Sequence, residues 1–220
     1  TINIDKTPHI LIGGNTGSGK TILLQCLLWQ AIEQADVVYV SDFKGGVDFS
    51  CGWKDFVYLV TDEKKLLELL NRLARTLEKR KQLFKEVEAA NITEYRQKAG
   101  DYMQRIVFAC DEVAELLDRT GADKERKELL AQIEARLALI ARQGRAFGIH
   151  LILATQRPDA NILSGQIKKQ YEHSHLWPCR YHSVYHHHRR RTSSRTDSSR
   201  CTGTLSDGRW HCVSGILFQW

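Results

Sequence analysis

The 220 residues allow one ordinary domain with an appendage and a sizeable core. Hydrophobic residues at 42% and charged residues at 26% exclude a disordered or collagen-like chain, and no apolar run approaches the ~18 residues of a membrane span. The formal charge of +6 permits a polyanionic partner without requiring one, and it is uneven: residues 171–220 carry seven Arg and no Lys against three acids, with seven of the nine His.

The N-terminus, Thr1 to Asp5, has neither the charged nor the apolar region of a signal peptide. Without an initiator Met, and with a strand almost at once, it reads as a piece of a longer protein. His9 to Ile12 is a short apolar run that ends in glycines, and a helix is expected from about Lys20. Val37 to Val40 is β-branched and aromatic, a strand that stops at Ser41-Asp42. Phe56 to Val60 is expected as the next strand. Thr61 is then expected to cap a long helix with Asp62 and Glu63 in its first turn. In that helix Leu66, Leu69, Leu70, Leu73, Leu77, Leu83, Phe84 and Val87 recur at mostly three- and four-residue steps and mark a buried face. Asn91 to Asp101 holds turn formers and reads as a link.

Ile106 to Cys110 is uninterruptedly apolar, as befits a strand buried on both faces. A second amphipathic helix is predicted over Lys124 to Phe147, using Leu129, Leu130, Ile133, Leu137 and Ile140, with Gly148 ending it. Ile149 to Ala154 follows as another buried strand. Strands alternating with helices predict a three-layer α/β/α domain with a mostly parallel sheet. No internal repeat is present.

Gly14-Asn15-Thr16-Gly17-Ser18-Gly19-Lys20-Thr21 fits the pattern G-x-x-x-x-G-K-[ST] and lies between a predicted strand and a predicted helix, the context of a P-loop. The glycines let backbone N–H groups turn inward toward phosphate oxygens, backed by a helix N-terminus. Lys20 is expected to reach the β- and γ-phosphates of ATP, and the Thr21 hydroxyl to ligate Mg²⁺. Asp111 and Glu112 directly follow an apolar strand, at the sheet edge where α/β sites lie. Asp111 is assigned to Mg²⁺ and Glu112 to polarising the attacking water, so an ATPase is expected. Cys26, Cys51 and Cys110, in or beside apolar segments, read as buried thiols in a reducing cytosol.

Three further features admit two readings each. In Thr155-Gln156-Arg157-Pro158, Gln156 is the residue to sense the γ-phosphate or the lytic water, unless Pro158 only enforces a turn. Arg142 and Arg145, near a helix end, either answer the helix dipole or act on a neighbour's nucleotide. In Asp42-Phe43-Lys44-Gly45-Gly46 the glycines favour a simple turn, while Lys44 can also face a nucleotide or another polyanion.

Taken together these motifs resemble the FtsK/SpoIIIE motor domain, in the form carried by conjugative mobile elements. The resemblance runs from Pro8 to Gly14 into the P-loop, through Asp42 to Gly46 and Val107 to Glu112. It is most telling from Ala135-Arg136-Leu137 through Gly144-Arg145 and Gly148-Ile149-His150 to Ala154-Thr155-Gln156-Arg157-Pro158, and continues in Ile162 to Lys168. It implies a RecA-like P-loop ATPase core over residues 1–170 that assembles as a homo-hexameric ring and translocates double-stranded DNA in conjugative transfer or chromosome partition. In that family the matching arginine, Arg145, approaches the neighbouring subunit's nucleotide. The parent protein would lie at the cytoplasmic face of the cell membrane, reached through segments absent from this chain. Export of polypeptides by a related type VII secretion ATPase is the alternative.

After Lys169 the resemblance fails, and residues 171–220 form an aberrant basic tail rich in His, Arg and Ser. The tail reads as a nucleic-acid-binding extension, as a metal site of His173, His175, Cys179 and His182, or, preferred, as the product of a reading-frame change. Residues 171–180 can be back-translated so that another frame restores the strand the family requires. The sheet would then be incomplete at its C-terminal end, and residues 214–219 resemble a normal terminal strand.

Overall fold

The computed structural model describes residues 7–34, 36–49 and 52–156. Its elements in chain order are β1 (His9–Gly13), α1 (Lys20–Glu33), β2 (Val37–Ser41), β3 (Tyr58–Val60), α2 (Glu63–Glu86), α3 (Ile92–Ala99), β4 (Ile106–Cys110), α4 (Val113–Leu116), α5 (Lys124–Gln143) and β5 (Ile149–Thr155). The strands form one sheet in the order β1-β5-β4-β2-β3, and every neighbouring pair is parallel.

Alternation along the strands divides the core into two layers. Ile10 and Ile12, Val38 and Val40, Val107 and Ala109, and Ile152 and Ala154 face α1, where Leu24, Leu27, Leu28 and Ala31 meet them. Leu11, Ile106, Phe108, Cys110, Ile149, Leu151 and Leu153 face the other way onto α2, α4 and α5. Helices therefore cover both faces, which is why the strands are apolar on both sides. Among the described residues no helix is long and apolar enough to cross a membrane.

Several elements differ from the sequence reading. The strand expected over Phe56 to Val60 is confined to Tyr58–Val60, because the N–H groups of Phe56 and Val57 close a turn on the Trp53 carbonyl. The cap of α2 is Asp62, not Thr61: its carboxylate accepts the Lys65 N–H at 2.9 Å. The expected link over 91–101 contains α3, capped by Asn91 and closed by Gly100 at φ 65°. The helix expected to reach Phe147 ends at Gln143, where the Gly144 N–H bonds back to the Ile140 carbonyl while the Gly144 carbonyl accepts the Ile149 N–H. The short helix α4 had no counterpart in the reading. Cys26 is half-buried rather than buried, whereas Cys110 is buried, and burial pushes its thiol up to about 12. Cys51, Arg157, Pro158, the boundary at residue 170 and the whole tail, with His173, His175, Cys179 and His182, lie outside the described residues.

Candidate nucleotide site

Because the sheet is parallel, all its strands deliver their last residues to one edge, and four adjacent tips build a single site there. β1 runs into the loop 14–19, β5 ends in Thr155 and Gln156, β4 in Asp111 and Glu112, and β2 in Asp42 and Lys44.

The loop has the form its glycines predict. Gly17 and Gly19 take φ of 76° and 88°, a region that residues with a β-carbon rarely enter. Gly14 donates to the Thr155 carbonyl at 3.2 Å, and Ser18 to the Asn15 carbonyl at 3.1 Å. Gly19, in the left-handed conformation, starts α1 without a side-chain cap. Lys20 is buried, with Nζ donating to the Asn15 carbonyl at 3.2 Å. The buried Ser18 hydroxyl has no partner among the described residues. A lysine on its own loop's carbonyl and an unused hydroxyl inside the loop are groups that an anion between them would engage.

α1 leaves the edge strand β1 and packs across β5 and β4 toward β2, so its first turn overhangs the tip of β4. The Thr21 hydroxyl consequently donates to Asp111 Oδ1 at 3.2 Å, across 90 residues of sequence. Asp111 is only 2% exposed, and its other oxygen accepts from Lys44 Nζ at 3.1 Å. Partial burial alone would lower the Lys44 pKa; the hydrogen bond and charge of Asp111, with Glu112 and Asp48 adding, leave it raised.

Glu112 turns to the β5 side. One carboxylate oxygen accepts from the Thr155 hydroxyl at 3.0 Å, and the Gln156 N–H reaches both, at 3.2 and 3.0 Å. The Gln156 side chain points to the loop, where its Oε1 accepts from the Thr16 hydroxyl at 2.8 Å. A hydrogen-bonded path thus joins Thr16, Gln156 and Glu112. Of the expected site residues, Arg145 alone is elsewhere: exposed, beyond the end of α5, at the amino end of β5. Arg142 is also exposed, in the last turn of α5. Sequence reasoning missed Thr155 as the partner of Glu112, and it left Lys44 chiefly as a turn residue. For Thr155 the signal was weak: a hydroxyl ends β5, but the same strand also carries the polar His150.

Residues 1–160 match the sequence model of the FtsK/SpoIIIE family. The chain belongs to this family. A DNA translocase FtsK of Campylobacter jejuni is 33% identical over 178 residues, a match covering 76% of this chain but 18% of that protein. Among solved structures, the pCW3 conjugation coupling protein TcpA, determined with ATPγS, is 41% identical with a TM-score of 0.73, over 77% of this chain and 48% of that one. The cytoplasmic domain of the Thermomonospora curvata type VII secretion ATPase EccC is 27% identical with a TM-score of 0.56, over 74% and 20% of the two chains. The chain therefore spans less than half the length of these relatives, and its sheet is the RecA-like, three-layer P-loop ATPase core that the family resemblance implies.

Proposed function

We propose that this chain is the ATP-hydrolysing motor of a double-stranded DNA translocase, of the kind used in conjugative transfer or chromosome partition. The observation that carries it is the meeting of the Thr21 hydroxyl with the buried Asp111, one residue before Glu112, in a chain of the FtsK/SpoIIIE family. Identity of 41% to a conjugation coupling protein, against 27% to a type VII secretion ATPase, favours DNA in conjugative transfer over polypeptide as cargo.

In this reading the N–H groups of residues 14–19 and Lys20 bind the phosphates of ATP. Thr21 and Asp111 are the residues to hold Mg²⁺. Their donor set fits a hard cation, a hydroxyl and a buried carboxylate converging, with an ammonium already drawn to the same carboxylate. The ion, when bound, neutralises charge on the phosphoryl oxygens. Glu112 orients water and takes its proton, held in place by Thr155 and the Gln156 N–H. Gln156, joined to Thr16, reports the state of the phosphate loop to Glu112. Arg145 serves a neighbouring subunit's site, in a homo-hexamer whose parent is tethered to the cytoplasmic face of a membrane by segments outside this chain.

The test is ATP turnover with and without long duplex DNA at low and moderate salt. Turnover should rise with DNA, the rise should shrink steeply with salt, and Lys20→Ala and Glu112→Gln should each lose about 100-fold or more. Turnover indifferent to DNA but stimulated by a secreted protein's tail would transfer the chain to the export reading.

A further inference from the structure

Lys44 lies outside the machinery just assigned, yet its ammonium rests on the carboxylate at the centre of it. Asp111 divides its oxygens between two donors, Thr21 Oγ1 at 3.2 Å and Lys44 Nζ at 3.1 Å. A charged carboxylate so deeply buried requires a positive partner. Lys44 is directed there by its own loop. The buried Asp42 accepts the Lys44 N–H at 2.8 Å, the two-residue reach of an Asx turn, and Gly45 and Gly46 follow at φ of 86° and 73°. A β-carbon at Gly46 would press on Leu59 Cδ2 at 3.0 Å, so a side chain there would be strained and crowded. The Asp48 carbonyl is pinned to α1 by Gln25 Nε2 at 2.7 Å. Ser41 pairs with Cys110, so Asp42 and Asp111 leave the sheet side by side, and Asp42 Oδ2 has no partner among the described residues. Two buried carboxyl groups therefore stand at neighbouring strand tips, with one ammonium from the connecting loop.

An ammonium and a divalent ion repel each other at contact distance and compete for the charge of one carboxylate. Lysine is suited to vacate such a place: its charge is compact, its stem flexible, and its side chain is already 39% exposed. We propose that Lys44 is a displaceable counter-cation of the metal position, neutralising Asp111 in the unloaded site and leaving it when metal arrives. Loop 42–49 thereby loses one anchor on the sheet whenever the site loads, which couples its conformation to the nucleotide state. This rests on Asp111 being the metal carboxylate.

The test is Mn²⁺ binding to the nucleotide-free full chain, read from the loss of the free-ion electron paramagnetic resonance signal, with circular dichroism to confirm folding of each variant. Lys44→Met should bind Mn²⁺ about fivefold more tightly, or better, because its competitor is gone. Lys44→Arg, which keeps a competing cation, should show none of that gain, and neither should Lys54→Met, which removes a charge from the same connection between β2 and β3. Unchanged or weaker binding in Lys44→Met overturns the proposal, as does an equal gain in Lys54→Met, which would reduce the effect to a general field. Asp111→Asn separates the two levels. Binding unaffected by Asp111→Asn would refute the metal assignment itself and the role of Lys44 with it. Binding lost in Asp111→Asn but indifferent to Lys44→Met would refute the role of Lys44 alone.

Discussion

Glu112 is a half-buried carboxylate whose hydrogen-bond partners all come from the tip of the next strand. The Gln156 N–H would survive any substitution there, but the Thr155 hydroxyl can be removed without changing shape. Thr155→Val should lower kcat about tenfold to a hundredfold, the worth of one hydrogen bond to a charged group at about 1.5–3 kcal/mol. KM for ATP should be unchanged, because the contact Thr155 makes with the loop through its carbonyl, which accepts the Gly14 N–H at 3.2 Å, is kept in valine. Steady-state kinetics check it: a rise in KM with kcat intact would mean that Thr155 serves nucleotide binding instead. At this scale the sequence was legible where chemistry is local. A lysine after a glycine loop and two acids after an apolar strand announce themselves. Thr155 and Lys44 did not, because each takes its meaning from a partner on another strand, 43 and 67 residues away.

Four of the five described strands were legible to within a residue, since runs such as Ile106–Cys110 must be buried on both faces; the edge strand β3, expected two residues too early, was the exception. Helix ends were not. α3 illustrates the reason: Asn91 accepts the Glu94 N–H at 3.0 Å, and Glu94 reaches back to the Ala90 N–H at 2.9 Å, a reciprocal cap one residue out of its usual frame. Asn91 and Gly100 were read as turn formers when they are the two ends of one helix. That helix has a task. Tyr95 stacks on Phe84 with ring centroids 4.8 Å apart, and the Ile92 N–H donates to the Ala146 carbonyl at 2.8 Å, securing the turn that carries Arg145. Arg80 closes the same turn from α2, donating to the Phe147 carbonyl and the Gln104 carbonyl at 2.6 Å each; burial lowers its pKa to about 10. Gly148, expected as a helix stop, sits at φ 67° where a β-carbon would collide with Ile92. Asn91→Ala should cost about 1 kcal/mol and lower Tm by roughly 2–4 °C, with Asn91→Gly milder. Thermal unfolding followed by circular dichroism measures it, and equal losses for Ala and Gly would show that the cap is not the cause.

At the scale of the molecule the decisive fact is the strand order, which no local pattern announces because the pairings are long-range. β5 is inserted between β1 and β4 and separates the phosphate loop from the two acids by one strand width. Its tip therefore falls between them, and this is why Gln156 bonds to both Thr16 and Glu112. The same strand, read in the other direction, isolates Arg145. β5 spans seven residues, about 20 Å at the usual rise, and Arg145 precedes it while the site follows it. An arginine side chain cannot cross that length of sheet to its own nucleotide. If Arg145 takes part in hydrolysis, it does so in a head-to-tail neighbour, whose loop edge meets this subunit's opposite edge. The consequence is complementation. Lys20→Ala and Arg145→Ala should each be nearly inactive, yet mixed subunits should regain activity. A Lys20→Ala subunit still offers Arg145 to the intact loop of an Arg145→Ala neighbour, and random assembly makes such a junction at about a quarter of the sites. ATP turnover of the mixture decides it. Recovery requires the arginine to act across an interface, whereas a mixture no better than its components would return Arg145 to the role of a basic residue answering the dipole of α5.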